Sequence, residues 1–324
     1  MAGGQERILR RRIKSVESTK KITKAMELIA ASRIVKAQQR VAAARPYSEQ
    51  ITEVIRNLAA AGAGLDHPLL KARDDIATIA YVVVTADRGL AGAYNTTVLR
   101  TAERAIRRDR AEGREAKLYA IGKKAQGYFR FRGVPVEAAF LGVTDQPRYE
   151  QAKEVAEAVT AAFEQGTVDA VEIVYTRFLS VGSQKVVTRR LMPLDTSSLE
   201  AASQSGAPST LYEFEPSPAA ILERLLPRYA EARLFAAVLD ASASEHAARQ
   251  RAMKSATDNA EELIKDLTRV MNRARQDVIT TEIMEIVSGA EALRRGGSED
   301  LLPDLLVSRD VLPDKLHDAL YRSA

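Results

Sequence analysis

The chain has no cysteine and no tryptophan in 324 residues. Without cysteine there are no disulfides and no thiolate metal sites, and a reducing compartment is permitted. Aromatics make up only 5% of the chain. Its bulk is instead aliphatic and alanine-rich, which suits closely spaced helices. No apolar run reaches the roughly 18 residues of a membrane span, and the N-terminal stretch lacks the apolar centre of a signal peptide. A soluble or peripheral protein, cytoplasmic in location, is therefore expected. Nucleotide fingerprints are also missing: no GxxxxGK[ST] occurs, and the glycine turn Asp87-Arg88-Gly89-Leu90-Ala91-Gly92 does not have GxGxxG spacing.

Glycine and proline are absent where they would matter most. Arg228 to about Ser288 contains neither, and Gln5 to Leu58 contains only Pro46. In the later stretch, small or apolar residues recur in steps of four and three at Ala256, Ala260, Leu263, Leu267, Val270 and Ala274. That is the seam of a coiled coil, on a helix roughly 90 Å long at 1.5 Å per residue. The earlier stretch has a matching stripe through Ile13, Val16, Ala30, Ile34, Ala37, Val41, Ala44, Ile51, Ile55 and Leu58. Lys20, Thr23 and Glu27 interrupt it, and the apolar positions there are Ile22, Met26 and Ile29. A local slip of the stripe by one position is expected, together with a kink near Arg45 ahead of Pro46. The rest of the chain joins the end of one helix to the start of the other, so the pair must be antiparallel.

Between them the period changes. Ile76–Val84 reads as a strand buried on both faces, followed by a turn and a helix from Asn95, a natural N-cap, to Glu112. Strands at 117–121 and 135–140 alternate with helices at 123–132 and 147–165. Strands 171–178 and 185–191 have the look of an antiparallel pair. The fold class is thus α/β: a long antiparallel coiled coil of the N- and C-terminal helices, with an inserted Rossmann-like α/β domain. The divisions expected are a first helix over 1–60, the α/β domain over 75–195, a linker and short helix over 196–227, the last helix over 228–295 and a tail over 296–324. Ser217 caps the short helix, and Pro227 is expected to break or kink the chain after it, just before the long helix. In the tail, at most a short helix over Asp314–Tyr321 is expected.

The net charge of +5 is unevenly placed. Residues 5–40 carry eleven Lys or Arg against three Glu, a local +8, which leaves the remainder about −3. A basic rod of this kind seeks an acidic partner, either polyanionic nucleic acid or an acidic protein surface. Chemistry of the chain's own is hard to find. His67, His246 and His317 are far apart with no carboxylate at ligand spacing, which argues against a metal. Asp87 and Arg88 read as an ion pair bracing a turn. No cofactor is expected.

Two stretches carry a resemblance. SVESTKKITKAMELIAASRIVKAQ (15–38) and SEHAARQRAMKSATDNAEELIKDLTRVMNRARQDVITTEIMEIVSGA (244–290) closely resemble the terminal helices of the gamma subunit of the bacterial rotary ATP synthase. TADRGLAGAYN (85–95) is similar to that family's middle signature, and the likeness spans about 5–293. It implies a non-catalytic central shaft that couples proton flow to ATP synthesis and regulates ATPase activity. The partners implied are the alpha and beta subunits of the catalytic head, the epsilon subunit and the membrane rotor ring; no nucleic acid is among them. It also implies a peripheral place on the cytoplasmic side of the cell membrane. Residue by residue, it marks Met26 as facing an acidic beta-subunit loop and Arg275 and Gln276 as meeting a beta-subunit catch loop. Arg249, Thr280 and Glu282 are marked as coupling positions. The family usually ends soon after the SGA of 288–290, whereas this chain continues. The rival reading is a nucleic-acid-binding α/β protein with a basic helical arm, which would bind polynucleotide by itself with steep salt dependence.

Overall fold

The computed structural model describes residues 2–60, 67–73, 75–194 and 215–296. The chain divides into two compact units, one over Lys20–Asn259 and the other over Met1–Thr19 with Ala260–Ala324. The expected tail helix over Asp314–Tyr321 lies outside the described residues.

The larger unit is built on a five-stranded sheet in the order β3-β2-β1-β4-β5. Its strands are β1 (Thr78–Val84), β2 (Glu115–Ile121), β3 (Ala138–Phe140), β4 (Ala170–Phe178) and β5 (Gln184–Met192). The first four are parallel and β5 pairs antiparallel with β4. The unbroken apolar run of β1 has its explanation here. The strand is central, and six of its seven residues are buried because both faces are covered. Helices α2 (Tyr94–Ala111) and α3 (Lys123–Phe131) pack on one face through Val98, Ile106 and Phe129, against Ile79, Tyr81 and Val83. The other face meets α4 (Tyr149–Glu164) and the inner parts of two long helices, α1 (Ala2–Ala60) and α5 (Pro218–Gly296). Ile51, Ile55 and Leu58 of α1 share that core with Leu226, Leu234 and Val238 of α5.

Two expectations about the helices are corrected. Pro227 does not interrupt α5, which runs as one helix from Pro218, while Ser217 does cap it by accepting the Ala220 N–H at 3.3 Å. The stripe on α1 does not slip either. From Lys20 to Leu58 one stripe of buried and half-buried positions runs on in steps of three and four, through 20, 23, 27, 30, 34, 37, 41, 44, 48, 51, 55 and 58, with half-buried positions such as Met26 and Arg33 along its borders. Polar residues therefore sit in the seam, and Ile22 and Ile29 face solvent at 61% and 55% exposure. Thr23 finds its partner there, its hydroxyl 2.8 Å from that of Thr257 on α5, and Thr257 also donates to the Met253 carbonyl. A buried pair of this kind contributes only about 0.5–1.5 kcal/mol. Its larger effect is on register, because a shifted pairing would bury hydroxyls without partners. Thr23 of α1 lies near Thr257, whereas Ile51 and Leu58 lie with Leu226 and Leu234, so the two helices run antiparallel.

In the smaller unit the seam is thin. Ala260 and Leu267 are buried, and Ile264, Met271, Ala274 and Val278 are half-buried. Leu263 and Val270, expected on the seam, are 41% and 51% exposed. The stripe passes one residue further on. In the first helical segment Leu9, Ile13 and Val16 are half-buried. From Ile279 to Arg294 every residue is exposed.

Candidate functional site

The β1–α2 turn is where an α/β sheet ordinarily receives a ligand, and here α5 occupies it. Gly92 takes φ +56, and a Cβ on it would stand 3.6 Å from the Ala252 Cβ, so the turn and the helix are in direct packing contact. Tyr94 closes the contact by donating its hydroxyl to the Ala241 carbonyl at 3.2 Å. Alanines and serines make the approach possible: Ala241, Ala243, Ser244 and Ala247 of α5 are all buried. Asn95 does not cap α2, which starts at Tyr94. Its side chain accepts the Ala86 N–H at 2.9 Å instead and ties the strand end to the helix. Asp87 accepts the Lys123 N–H at 3.1 Å, and among the described residues no ion pair joins it to Arg88.

A polar junction sits beside this turn. Arg249 of α5 is 7% exposed and donates three ways: to Glu245 Oε1 at 2.6 Å, to the Gly89 carbonyl at 3.3 Å and to His246 Nδ1 at 3.4 Å. Glu245 is fully enclosed, and burial pushes its carboxyl up even though Arg249 pulls it down. Among the described residues, its Oε2 and the buried Thr144 hydroxyl have no hydrogen-bond partner. His246 Nε2 is 3.3 Å from the Asp145 carbonyl. Guanidinium can only donate, so Nδ1 must accept and Nε2 must carry the proton donated to Asp145. That is the neutral tautomer, and it agrees with a pKa lowered to about 4 by burial. The Asp145 carboxylate in turn pairs with Arg33 of α1. The junction thus joins α1, α5, the loop before α4 and the β1–α2 turn. In sequence, Glu245 and Arg249 look like a surface i,i+4 pair worth a few tenths of a kcal/mol. Both are buried, and removing one partner of such a pair costs about 3–5 kcal/mol.

The six positions marked by the resemblance fall in two places. Met26 is half-buried on α1 beside the Thr23 layer, and Arg249 is inside the junction. Arg275, Gln276, Thr280 and Glu282 are exposed on α5 in the smaller unit. There Thr280 donates its hydroxyl to the Gln276 carbonyl at 2.9 Å. Arg33, Asp145 and Thr144 were not found from sequence. Arg33 and Asp145 are 112 positions apart, and no local pattern connects them.

Known proteins match over the same span. The family model described as ATP synthase matches residues 5–293. The ATP synthase gamma chain of Frankia casuarinae is 54% identical over 297 residues, covering 90% of this chain and 99% of its own length. That of Acidothermus cellulolyticus is 51% identical, covering 92% and 100%. Among solved structures, a chain of the Euglena gracilis mitochondrial ATP synthase OSCP/F1/c-ring assembly aligns with a TM-score of 0.65 at 20% identity, over 92% of this chain and 98% of that one. A chain of the Tetrahymena thermophila mitochondrial ATP synthase central stalk and c-ring aligns with a TM-score of 0.56 at 22% identity, over 72% and 99%. At those identities the structural likeness speaks to fold alone.

Proposed function

The chain belongs to the ATP synthase gamma-chain family, and on that premise we propose how its parts serve the machine. It is the central rotor stalk subunit of a membrane-bound ATP synthase. The gamma-chain relatives leave the nucleic-acid reading of the basic arm without support. The helix pair is the shaft and turns within the alpha and beta subunits. The α/β domain holds the epsilon subunit and rides on the membrane ring. The chain carries no catalytic nucleotide fingerprint, so catalysis belongs to the head. It works at the cytoplasmic face of the membrane and is held there by partners. Among the described residues no helix is long and apolar enough to cross a bilayer.

The observation that carries this reading is the division of apolar residues on α1. The seam is complete, yet Ile22, Leu28, Ile29 and Val35 are more than half exposed on the same helix, interleaved with lysines and arginines. Ile22 and Ile29 flank the seam on one side and Leu28 and Val35 on the other, so a helix already paired along one stripe keeps apolar, basic flanks for further partners. Met26 stands between the seam and the Ile22–Ile29 flank, placed to touch an acidic loop of a beta subunit. Arg275 and Gln276 meet a second loop, and Thr280 and Glu282 lie on the same stretch of helix. Arg249 couples differently: its donors are used internally, so it braces the shaft against the α/β domain. Purification of the tagged chain from detergent-solubilised membranes tests the reading, with alpha and beta subunits expected to follow. Recovery of the chain without them would overturn it.

A further inference from the structure

Between the open edge of the sheet and the two long helices lies a cleft of about 200 Å³. Its floor comes from β4 and β5, where Ile173 pairs with Arg189 and Tyr175 with Val187, putting Tyr175, Arg177 and Arg189 on one face. Arg233, Ala237 and Asp240, at successive turns of α5, form one wall, and Ser48 of α1 forms part of the other. A carboxylate opposite an arginine steadies a strand pair, and Arg190 has one, pairing with Glu172 at 3.1 Å. Its neighbours do not. Among the described residues, the side chains of Arg45, Arg177 and Arg189 make no hydrogen bond or ion pair, and Arg233 only stacks on Tyr229.

Asp240 is the single acid in the cleft. Arg177, Arg189 and Arg45 are all near enough to favour its charged form, yet none comes within ion-pair distance. Burial outweighs them and pushes its carboxyl up to about 6. Several planar donor forks therefore converge on a space with one weak internal counter-charge, a small hydroxyl and a phenol. We propose that this cleft binds a phosphoryl oxyanion, such as pyrophosphate, the phosphates of a nucleotide or a phospholipid headgroup.

The chemistry favours phosphoryl oxygens over a single carboxylate. A guanidinium presents five donors in a fixed fork that matches phosphate geometry bidentately, and three around one space supply more than one carboxylate can accept. The volume suits one or two phosphoryl groups and excludes a helix. Small alanines on the α5 wall keep the space open, and the sheet edge lets charge enter from solvent. The assignment goes beyond the rotor reading and does not depend on it, because the site is complete within the free chain.

The test is calorimetric titration of the full chain at about 150 mM salt, without magnesium, using pyrophosphate, ADP and vesicles containing phosphatidylglycerol as separate probes. Arg177→Ala with Arg189→Ala should weaken the binding probe about tenfold or more, the loss expected for a charge-assisted contact. Both side chains are exposed, so the fold should survive, and circular dichroism checks that. Arg110→Ala with Arg130→Ala removes equal charge from exposed sites elsewhere and should leave affinity within about twofold. Asp240→Asn should tighten binding. The probe that binds best identifies the source of the phosphoryl group. No binding by any probe up to about 10 mM, equal weakening in the two double variants, or tighter binding of a polyglutamate peptide than of every phosphoryl probe would each overturn the proposal.

Discussion

The helix pair is built twice from one repeat, and the two units use it differently. Within Lys20–Asn259 the helices share a core with the sheet. Ala30, Ile34, Ile55, Leu58, Leu234 and Val238 are all at 3% exposure or less, and a polar junction ties four chain segments together. Within the other unit the same three-four spacing buries only a narrow stripe, with Ala260 and Leu267 its most enclosed members. A two-helix seam alone can hide little more than one residue per turn. Stability is therefore concentrated in the first unit, and the second depends on what encloses it in the assembled machine.

The sharpest way to break the contrast is Arg249→Ala. It leaves the Glu245 carboxyl enclosed with no cation beside it, and should destabilise the sheet-bearing unit by about 3–5 kcal/mol, read by urea denaturation. Arg249→Ala with Glu245→Gln should recover much of that loss. An effect below about 1 kcal/mol would show that the pair is wet.

A pH scan sharpens the comparison next. His246 has its folded pKa lowered to about 4, so its contribution is present above the ordinary 6.5 and is lost as pH falls towards 4. Asp240 is raised to about 6, so its contribution is present below 3.8 and is lost as pH rises through 6. Over that window the two oppose each other. Melting temperature should change little from these groups between pH 6.5 and 4 in the native chain. It should fall with acid in Asp240→Asn and rise with acid in His246→Gln. Parallel curves for all three proteins would refute the assignment.

Smaller again is the seam layer. Thr23→Val should cost about 0.5–1.5 kcal/mol, while changing Thr23 and Thr257 together to Val should be nearly neutral. The least effect on the free chain belongs to the outer unit. Replacing Arg275 and Gln276 with alanine should shift its stability by no more than about 0.5 kcal/mol. In the reconstituted enzyme the same change should lower assembly or turnover. Unchanged turnover would remove both residues from the coupling surface.

Much of this was legible in the sequence, for identifiable reasons. Long stretches without glycine or proline define the helices, and a run such as Thr78–Val84 can be a central strand because both sheet faces are apolar. The register of the pair was read one residue away in two places. Apolar identity favours Ile22, Met26 and Ile29 over Lys20, Thr23 and Glu27, although of the three only Met26 is half-buried, and it favours Leu263 and Val270 over Ile264 and Met271. Hydrophobic identity misleads on a rod that has two kinds of neighbour, because an apolar side chain facing outward reads the same as one facing its partner helix. Pro227 permits either a break or a kink in sequence, and α5 runs on through it without a break, with Leu226 and Ala230 fully buried on either side. The junction is legible only in part: the spacing of Glu245 and Arg249 shows a pair, but not its burial or its partners. Arg33 and Asp145 meet only after the sheet has brought their elements together.

The Thr23–Thr257 contact joins positions 234 apart in sequence. During synthesis the first helix therefore leaves the ribosome long before the helix that completes it. At about 5–20 residues per second it waits roughly 10–50 s. Throughout that time its unpaired stripe and its excess of positive charge are both exposed, next to a ribosomal surface rich in phosphate. The α/β domain has its sheet strands in hand by Met192, before α5 begins. The element made first is the last to be satisfied, and nascent-chain chaperones should therefore engage this subunit at its amino-terminal helix.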